Sequence, residues 1–397
     1  MLLCRIIKAL RRMPRVMMLL AVLTLRAWCS MDAQIMWNMD NMSVVKEDEQ
    51  YRKLREALIK KGDKAAEAEA VTVMTPGKRF TADPHSYVTI APYTWPDTAN
   101  IGGPYVTRDG LRNPEYYEYD ITRLTALRSN LMYMAWALYF TGDERFADAI
   151  NRQLRVWFLD DATFMRPHLE YAQIIPGRNG NKGQAGGIIE AYFLNDILES
   201  IRLAASTGHV ADSTMAGLRQ WFGDFGRWML TSANGQKERA AGNNHGIAYD
   251  VTLLNIALFT GNKALRKRLT RAFAPTRLDV QIAADGSQPA ELRRNNAFDY
   301  SVYNLTHIID FCVIQESTGN HYYRKHKTVI DSAFAYLYQY IGNEEKFPYK
   351  ELKDWQSIEQ SLRRQARRLL RLQGADISVL PPGEPAHCAI IEANMAL

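Results

Sequence analysis

Tyr139-Phe140-Thr141-Gly142-Asp143 closes one long apolar segment and opens another. The same punctuation returns at Ser206-Thr207-Gly208, at Phe259-Thr260-Gly261-Asn262 and at Ser317-Thr318-Gly319-Asn320. A glycine just past a helix end suits the left-handed C-cap, and Asp or Asn at the next position can cap the following helix. Each signal therefore reads as the tight turn of a helical hairpin. Outside the first 30 residues apolar periodicity near 3.6 dominates, with almost no strand-like alternation. Helices are expected at about 42–61, 116–141, 144–158, 187–207, 212–232, 245–260, 263–273, 299–318, 321–342 and 355–371. Hairpins recurring at this spacing predict an all-α fold of antiparallel helical hairpins arranged in a ring or an arc, an incomplete barrel, over residues 35–375.

The topology carries a functional expectation. If helices alternate in direction, the Thr-Gly turns lie at one end and the long loops 85–115, 160–186, 233–244 and 275–298 at the other. Those loops hold nearly every unusual polar or aromatic cluster, so they are expected to line one cleft for an extended ligand.

The chain has 397 residues and a formal charge of +6. Arg5, Lys8, Arg11, Arg12, Arg15 and Arg26 account for all of that charge, and no acid falls within residues 1–30. The remainder is neutral, so bulk charge gives no reason to expect nucleic acid, and attraction for a polyanion must be local. The basic start and the apolar run Val16 to Leu25 read as an export signal, too short to span a bilayer. Residues 1–34 are expected to be removed, leaving no transmembrane segment and a periplasmic protein, with secretion or lipid anchoring at Cys29 as alternatives. The tail 376–397 gives no functional signal. Cys312 sits in an apolar helix and reads as a buried thiol.

Two segments supply chemistry. Gly242-Asn243-Asn244-His245-Gly246 opens one apolar helix. Gln288-Pro289-Ala290-Glu291-Leu292-Arg293-Arg294 precedes another, whose first turn holds Tyr300. A carboxamide, an imidazole, guanidiniums and a phenol suit stabilisation of a carboxylate-derived anion and transfer of one proton. The bland alternatives are helix capping by Asn243 or Asn244 and a solvated basic turn at 293–294. Loop 85–115 adds Tyr93, Trp95, Tyr105 and Arg108, and loop 160–186 adds Tyr171, Gln173 and Arg178. Aromatic faces and guanidiniums suit an anionic sugar chain. The glycines at 177–183 lack the Lys-Ser/Thr ending of a phosphate loop. No cofactor is called for, and His321 and His326 are badly spaced for a metal.

These motifs resemble the alginate lyase family of polysaccharide lyases. The resemblance rests on Tyr93-x-Trp95-Pro96-Asp97, Pro104-Tyr105-x-x-Arg108-Asp109-Gly110, Tyr171-Ala172-Gln173-x-Ile175-Pro176-Gly177-Arg178, Asn243-Asn244-His245-Gly246 and Gln288-Pro289-x-Glu291-Leu292. It runs from about 85 to about 355, with an echo at Pro348 to Trp355. It implies an (α/α) toroid and β-elimination on a uronic acid polymer, alginate before others. It also implies catalytic roles for Asn244, His245 and Tyr300, and for an arginine six or seven positions before the tyrosine. Arg293 and Arg294 are both eligible, because 293–296 departs from the family's Ala-Arg-Thr-Arg stretch. Gln288 joins the expected substrate contacts. A guanidinium beside Tyr300 is expected to lower its pKa, so that Tyr300 takes and returns a proton on one face of the sugar. His245 is the other base candidate, for the opposite face. The rivals are a glycoside hydrolase using two of Asp109, Glu115, Glu170 and Glu291, and a polysaccharide-binding protein without turnover.

Overall fold

Gly142, Gly208, Gly261 and Gly319 all adopt left-handed backbone, with φ between 70° and 82°. The Thr-Gly signals are therefore helix C-caps, in a conformation that costs glycine least. Asp143 and Asn262 cap the helices that follow, accepting from the backbone N–H of Arg145 and Leu265. These features come from a computed structural model that describes residues 36–374, apart from 38, 76 and the side chains of 39–41. The expected export signal, the tail and three of the four cysteines lie outside the described residues.

The helices are α1 (Met39–Glu47), α2 (Arg52–Glu67), α3 (Asp120–Thr141), α4 (Glu144–Phe158), α5 (Leu194–Ser206) and α6 (Asp212–Thr231). They continue with α7 (Ala233–Arg239), α8 (Asn244–Phe259), α9 (Lys263–Phe273), α10 (Pro289–Leu292) and α11 (Ala297–Glu316). The series ends with α12 (Tyr322–Lys325), α13 (Lys327–Tyr338) and α14 (Trp355–Leu372). They form the two layers of an (α/α) toroid. The inner row packs in the order α3, α5, α8, α11, α14, and α4, α6, α9 and α13 lie outside it.

Patterning explains the layering. Outer helix α9 buries only Leu265, Leu269 and Phe273, a single stripe of spacing four. Inner helix α8 is buried nearly all round, from Ile247 to Phe259. An amphipathic stripe suits a surface helix and an all-round apolar helix suits an interior one.

Several boundaries differ from expectation. The helix expected at 42–61 is broken at Asp48, whose carboxylate accepts from Gln50 N–H and starts a new turn. The helix expected at 321–342 breaks at His326, which separates α12 from α13. The segment before α5 is a 3-10 helix over Ala185–Phe193. Loops 85–115 and 160–186 also carry strands that the sequence pattern did not reveal. β1 (Val88–Ile90) pairs in parallel with β4 (Tyr171–Ile174), and β2 (Thr94–Trp95) pairs antiparallel with β3 (Val106–Thr107). These strands tie the first two long loops together over a small core of Val88, Ile90, Tyr116, Tyr119, Ile121 and Ile174. Cys312 is a fully buried thiol. Among the described residues, no helix is long and apolar enough to cross a membrane.

Candidate active site

All four long-loop regions meet at one cleft of about 710 Å³. Its wall takes Tyr93, Asp109 and Arg112 from the first loop and Gln173, Ile175 and Gln184 from the second. Asn244, His245 and Arg294 come from the ends of the third and fourth regions, and Tyr300 and Tyr303 from the start of α11. Ile121 and Thr125 of α3 and Phe193, just ahead of α5, are also there. The inner helices α3, α5, α8 and α11 thus turn their N-terminal ends to the cleft. The positive ends of helix dipoles favour anions, which supplies the local attraction that the neutral body lacks.

Asn244 begins α8 and is completely buried at the back wall. Its backbone N–H and its Nδ2 both donate to the Glu291 carboxylate, at 2.7 and 2.8 Å. The backbone before it is held by Arg277, whose guanidinium donates to the carbonyls of Arg239 and Ala241 and pairs with Asp250 at 2.8 Å. Gly246 sits against this clamp. A Cβ there would stand 2.2 Å from the Ala241 oxygen and 2.6 Å from Arg277 Nη1, so only glycine fits.

His245 is one-quarter exposed, and its Nδ1 lies 2.6 Å from Oε1 of Glu238, which is buried on α7. A carboxylate accepts only, so Nδ1 carries the hydrogen and Nε2 is left as the acceptor in the neutral ring. Glu238 lies in the polar run Gln236-Lys237-Glu238-Arg239, and its burial appears only in the fold.

Of the two arginines, Arg294 faces the cleft and Arg293 is exposed outside it. Arg294 makes a two-point contact with Asp109, at 2.7 and 3.3 Å, and its guanidinium lies 3.8 Å from the Tyr300 ring centre. The Asp109 carboxyl is held below its usual range by that pairing. The Tyr300 hydroxyl donates to the Tyr93 hydroxyl at 3.0 Å, and Arg112 hydrogen-bonds Tyr93 and Tyr117. The expectation of a lowered Tyr300 pKa is not met. Burial and the neighbouring Tyr93 push it up, outweighing Arg294. Tyr300 is a neutral phenol, equipped to give a proton.

The expected sugar contacts divide. Tyr93 and Gln173 line the cleft; Trp95, Tyr105, Arg108, Tyr171, Arg178 and Gln288 do not. Trp95 donates its indole N–H to Leu111 O and lies under exposed Arg108, outside the wall. Tyr105 donates to Glu115 at 2.8 Å. Tyr171 packs on the small strand core. Arg178 is exposed beyond the Pro176-Gly177 turn. Gln288 is buried, bonded to Ser301 O and to Asn304, and braces α10 against α11. Gln173 has a left-handed φ of 51° and its N–H donates to Thr89 Oγ1. Arg112, Glu190, Glu238 and Lys353 are site or supporting residues that sequence reasoning did not single out.

The carboxylates in the cleft wall are all engaged. Asp109 pairs with Arg294, and Asp299 pairs with Lys353 at 2.5 Å. Glu190 accepts from the hydroxyls of Tyr87, Thr89 and Tyr116 at 2.9 to 3.0 Å, and burial raises its pKa to about 7. Glu115 and Glu291 are tied to Lys78 and to Asn244, away from the cleft wall. No unengaged carboxylate pair flanks the cleft among the described residues, which disfavours the hydrolase reading.

The fold and this site define a polysaccharide lyase of the helical toroid type. The chain belongs to the alginate lyase family, whose sequence profile matches residues 70–347. It is similar to the crystal structure of an alginate lyase from Bacteroides ovatus, with 32% identity, a TM-score of 0.85 and coverage of 91% of this chain and 98% of that one. Alginate lyase A1-III from Sphingomonas species A1 is more distant, at 12% identity, TM-score 0.42 and coverage of 84% and 85%. A variant of that enzyme complexed with a tetrasaccharide gives 13%, 0.43, and 86% and 84%. Among curated proteins, none matches the chain significantly.

Proposed function

We propose that the chain cleaves alginate by β-elimination at the 4-linked oxygen of a uronate, leaving an unsaturated uronate at the new end. The observation that carries this reading is the convergence of Asn244, His245, Arg294 and Tyr300 on one cleft ringed by helix N-termini. The uronate carboxylate lies against Arg294 and the Asn244 amide, which stabilise the enolate-like charge as C5 loses its proton. His245 Nε2 takes that proton. The C5–H electron pair becomes the C4–C5 double bond, the C4–O4 bond breaks, and O4 leaves with the Tyr300 proton. One proton is taken and one is given, so the step balances. His245 and Tyr300 hold these roles because the ring nitrogen facing Glu238 is spent and the phenol is neutral.

Tyr93 and Gln173 contact the sugar, and the neighbouring cations Arg112 and Lys353 receive flanking carboxylates. Residues 1–34 direct export, and the mature enzyme works in the periplasm. A panel of purified uronic acid polymers tests the activity. Product absorbance from a conjugated double bond should rise with alginate. Reducing ends released without that absorbance would indicate hydrolysis, and binding without product a non-catalytic protein. Fractionation of cells producing the full chain tests the export.

A further inference from the structure

Glu291 joins the two halves of the site. Its Oε1 accepts from the backbone N–H of Asn244, its Oε2 accepts from Asn244 Nδ2, and both residues are buried. Its own carbonyl accepts from the backbone N–H of Arg294 at 3.0 Å. One residue of the short helix α10 therefore fixes the carboxamide on α8 and starts the turn that aims the guanidinium. Nothing about Glu291 is arranged for proton transfer to a sugar. It lies behind the cleft wall, and both of its oxygens are occupied by Asn244.

The chemistry of that contact decides which way the amide points. An ionised carboxylate has no hydrogen to give, so the oxygen of Asn244 cannot face it. Nδ2 must, and Oδ1 is turned away; it has no partner within the protein. We propose that Glu291 is a positioning residue that sets the orientation of the Asn244 carboxamide toward the substrate. The second Nδ2 hydrogen is then the donor left for the uronate carboxylate. This rests on the lyase reading above.

Glu291→Gln tests it because it keeps size and removes the charge. The Gln oxygen can still accept from the Asn244 N–H. Its NH2 then meets Nδ2 donor to donor, and the Asn244 amide must turn over. The experiment measures kcat and KM on alginate for wild type, Glu291→Gln, Asn244→Ala and the double variant, with thermal unfolding of each. Glu291→Gln should lower kcat by about 10- to 100-fold, approaching the loss of one anion-stabilising donor, with KM within about threefold. The double variant should be no slower than Asn244→Ala alone, because both changes remove one interaction. Losses that multiply in the double variant, or a kcat for Glu291→Gln within twofold of wild type, overturn the proposal. If wild type itself gives no unsaturated product from any uronan, it is the lyase reading that has failed. Nuclear magnetic resonance of the side-chain amide of Asn244 then tests the orientation directly: it should shift in Glu291→Gln, and an unmoved amide overturns the proposal.

Discussion

The Arg294 guanidinium stands 3.8 Å from the centre of the Tyr300 ring, yet the phenol is harder to ionise than an ordinary tyrosine. Burial of the ring and the Tyr93 hydroxyl at 3.0 Å disfavour phenoxide more than one cation over the ring face favours it. Arg294 is also partly neutralised by Asp109. The arginine's proposed role is therefore on the charge of the substrate rather than on the tyrosine. Tyr300 as proton donor must be protonated, and a pKa raised above about 10 keeps it so. Activity is accordingly expected to persist up to about pH 10 without a loss from phenol ionisation. A pH profile of kcat checks this; an alkaline loss near neutrality that disappears in a variant lacking the Tyr93 hydroxyl would assign ionisation to the phenol pair instead.

Glu238 holds the hydrogen on His245 Nδ1. Glu238→Gln removes the charge that selects this tautomer, and the amide oxygen or nitrogen can face the ring. A lower kcat is expected, by about tenfold or more; replacing a histidine-orienting carboxylate by its amide costs up to about 10⁴ elsewhere. Steady-state kinetics on alginate decide it. A kcat equal to wild type would mean that Glu238 does not orient the base.

Gly246→Ala places a methyl group 2.2 Å from the Ala241 oxygen. Backbone cannot retreat cheaply there, because Arg277 pins the carbonyls of Arg239 and Ala241. A destabilisation of about 1–3 kcal/mol is expected, as for other overpacked interiors, together with loss of activity from a displaced His245. Denaturant unfolding and an activity assay on the folded fraction measure the two effects.

Glu190 has a pKa near 7 in the fold, against 4.5 as its ordinary value. Between those values the native state binds more protons than the unfolded chain, so this residue's contribution to stability falls as pH rises through the window. Glu190→Gln removes that dependence. The drop in Tm from pH 5 to pH 8 should be smaller in the variant than in wild type. Equal drops would show that Glu190 ionises normally within the fold.

The fold was legible because its signals are local. A left-handed glycine after an apolar helix is required by the backbone itself, and four such sites marked the hairpins. Asn244, His245 and Tyr300 could be singled out because a carboxamide, an imidazole and a phenol cluster at helix starts and match the family's motifs. What stayed hidden depends on partners far along the chain. Strands β1 and β4 are three and four residues long and pair across a gap that contains two helices. Nothing local marks Glu238 in the sequence, and the contact of Glu291 with Asn244 appears only when folding buries both. Gln288 and Tyr171, expected from the sequence to meet the sugar, lie off the cleft wall: Gln288 is buried, and Tyr171 packs half-buried on the small strand core. Between Arg293 and Arg294 only the direction of one short turn decides, and no pattern in the sequence encodes it.

In the proposed elimination Tyr300 delivers the proton to the leaving oxygen. Tyr300→Phe removes one oxygen and almost no surface, so binding of alginate should be nearly unchanged. The decisive measurement is the rate of unsaturated product formation under saturating alginate, for wild type and for folded Tyr300→Phe. A fall of about 10²–10⁴-fold is expected, the usual contribution of a positioned proton carrier. Turnover within a few-fold of wild type would contradict it, and would move proton delivery away from Tyr300.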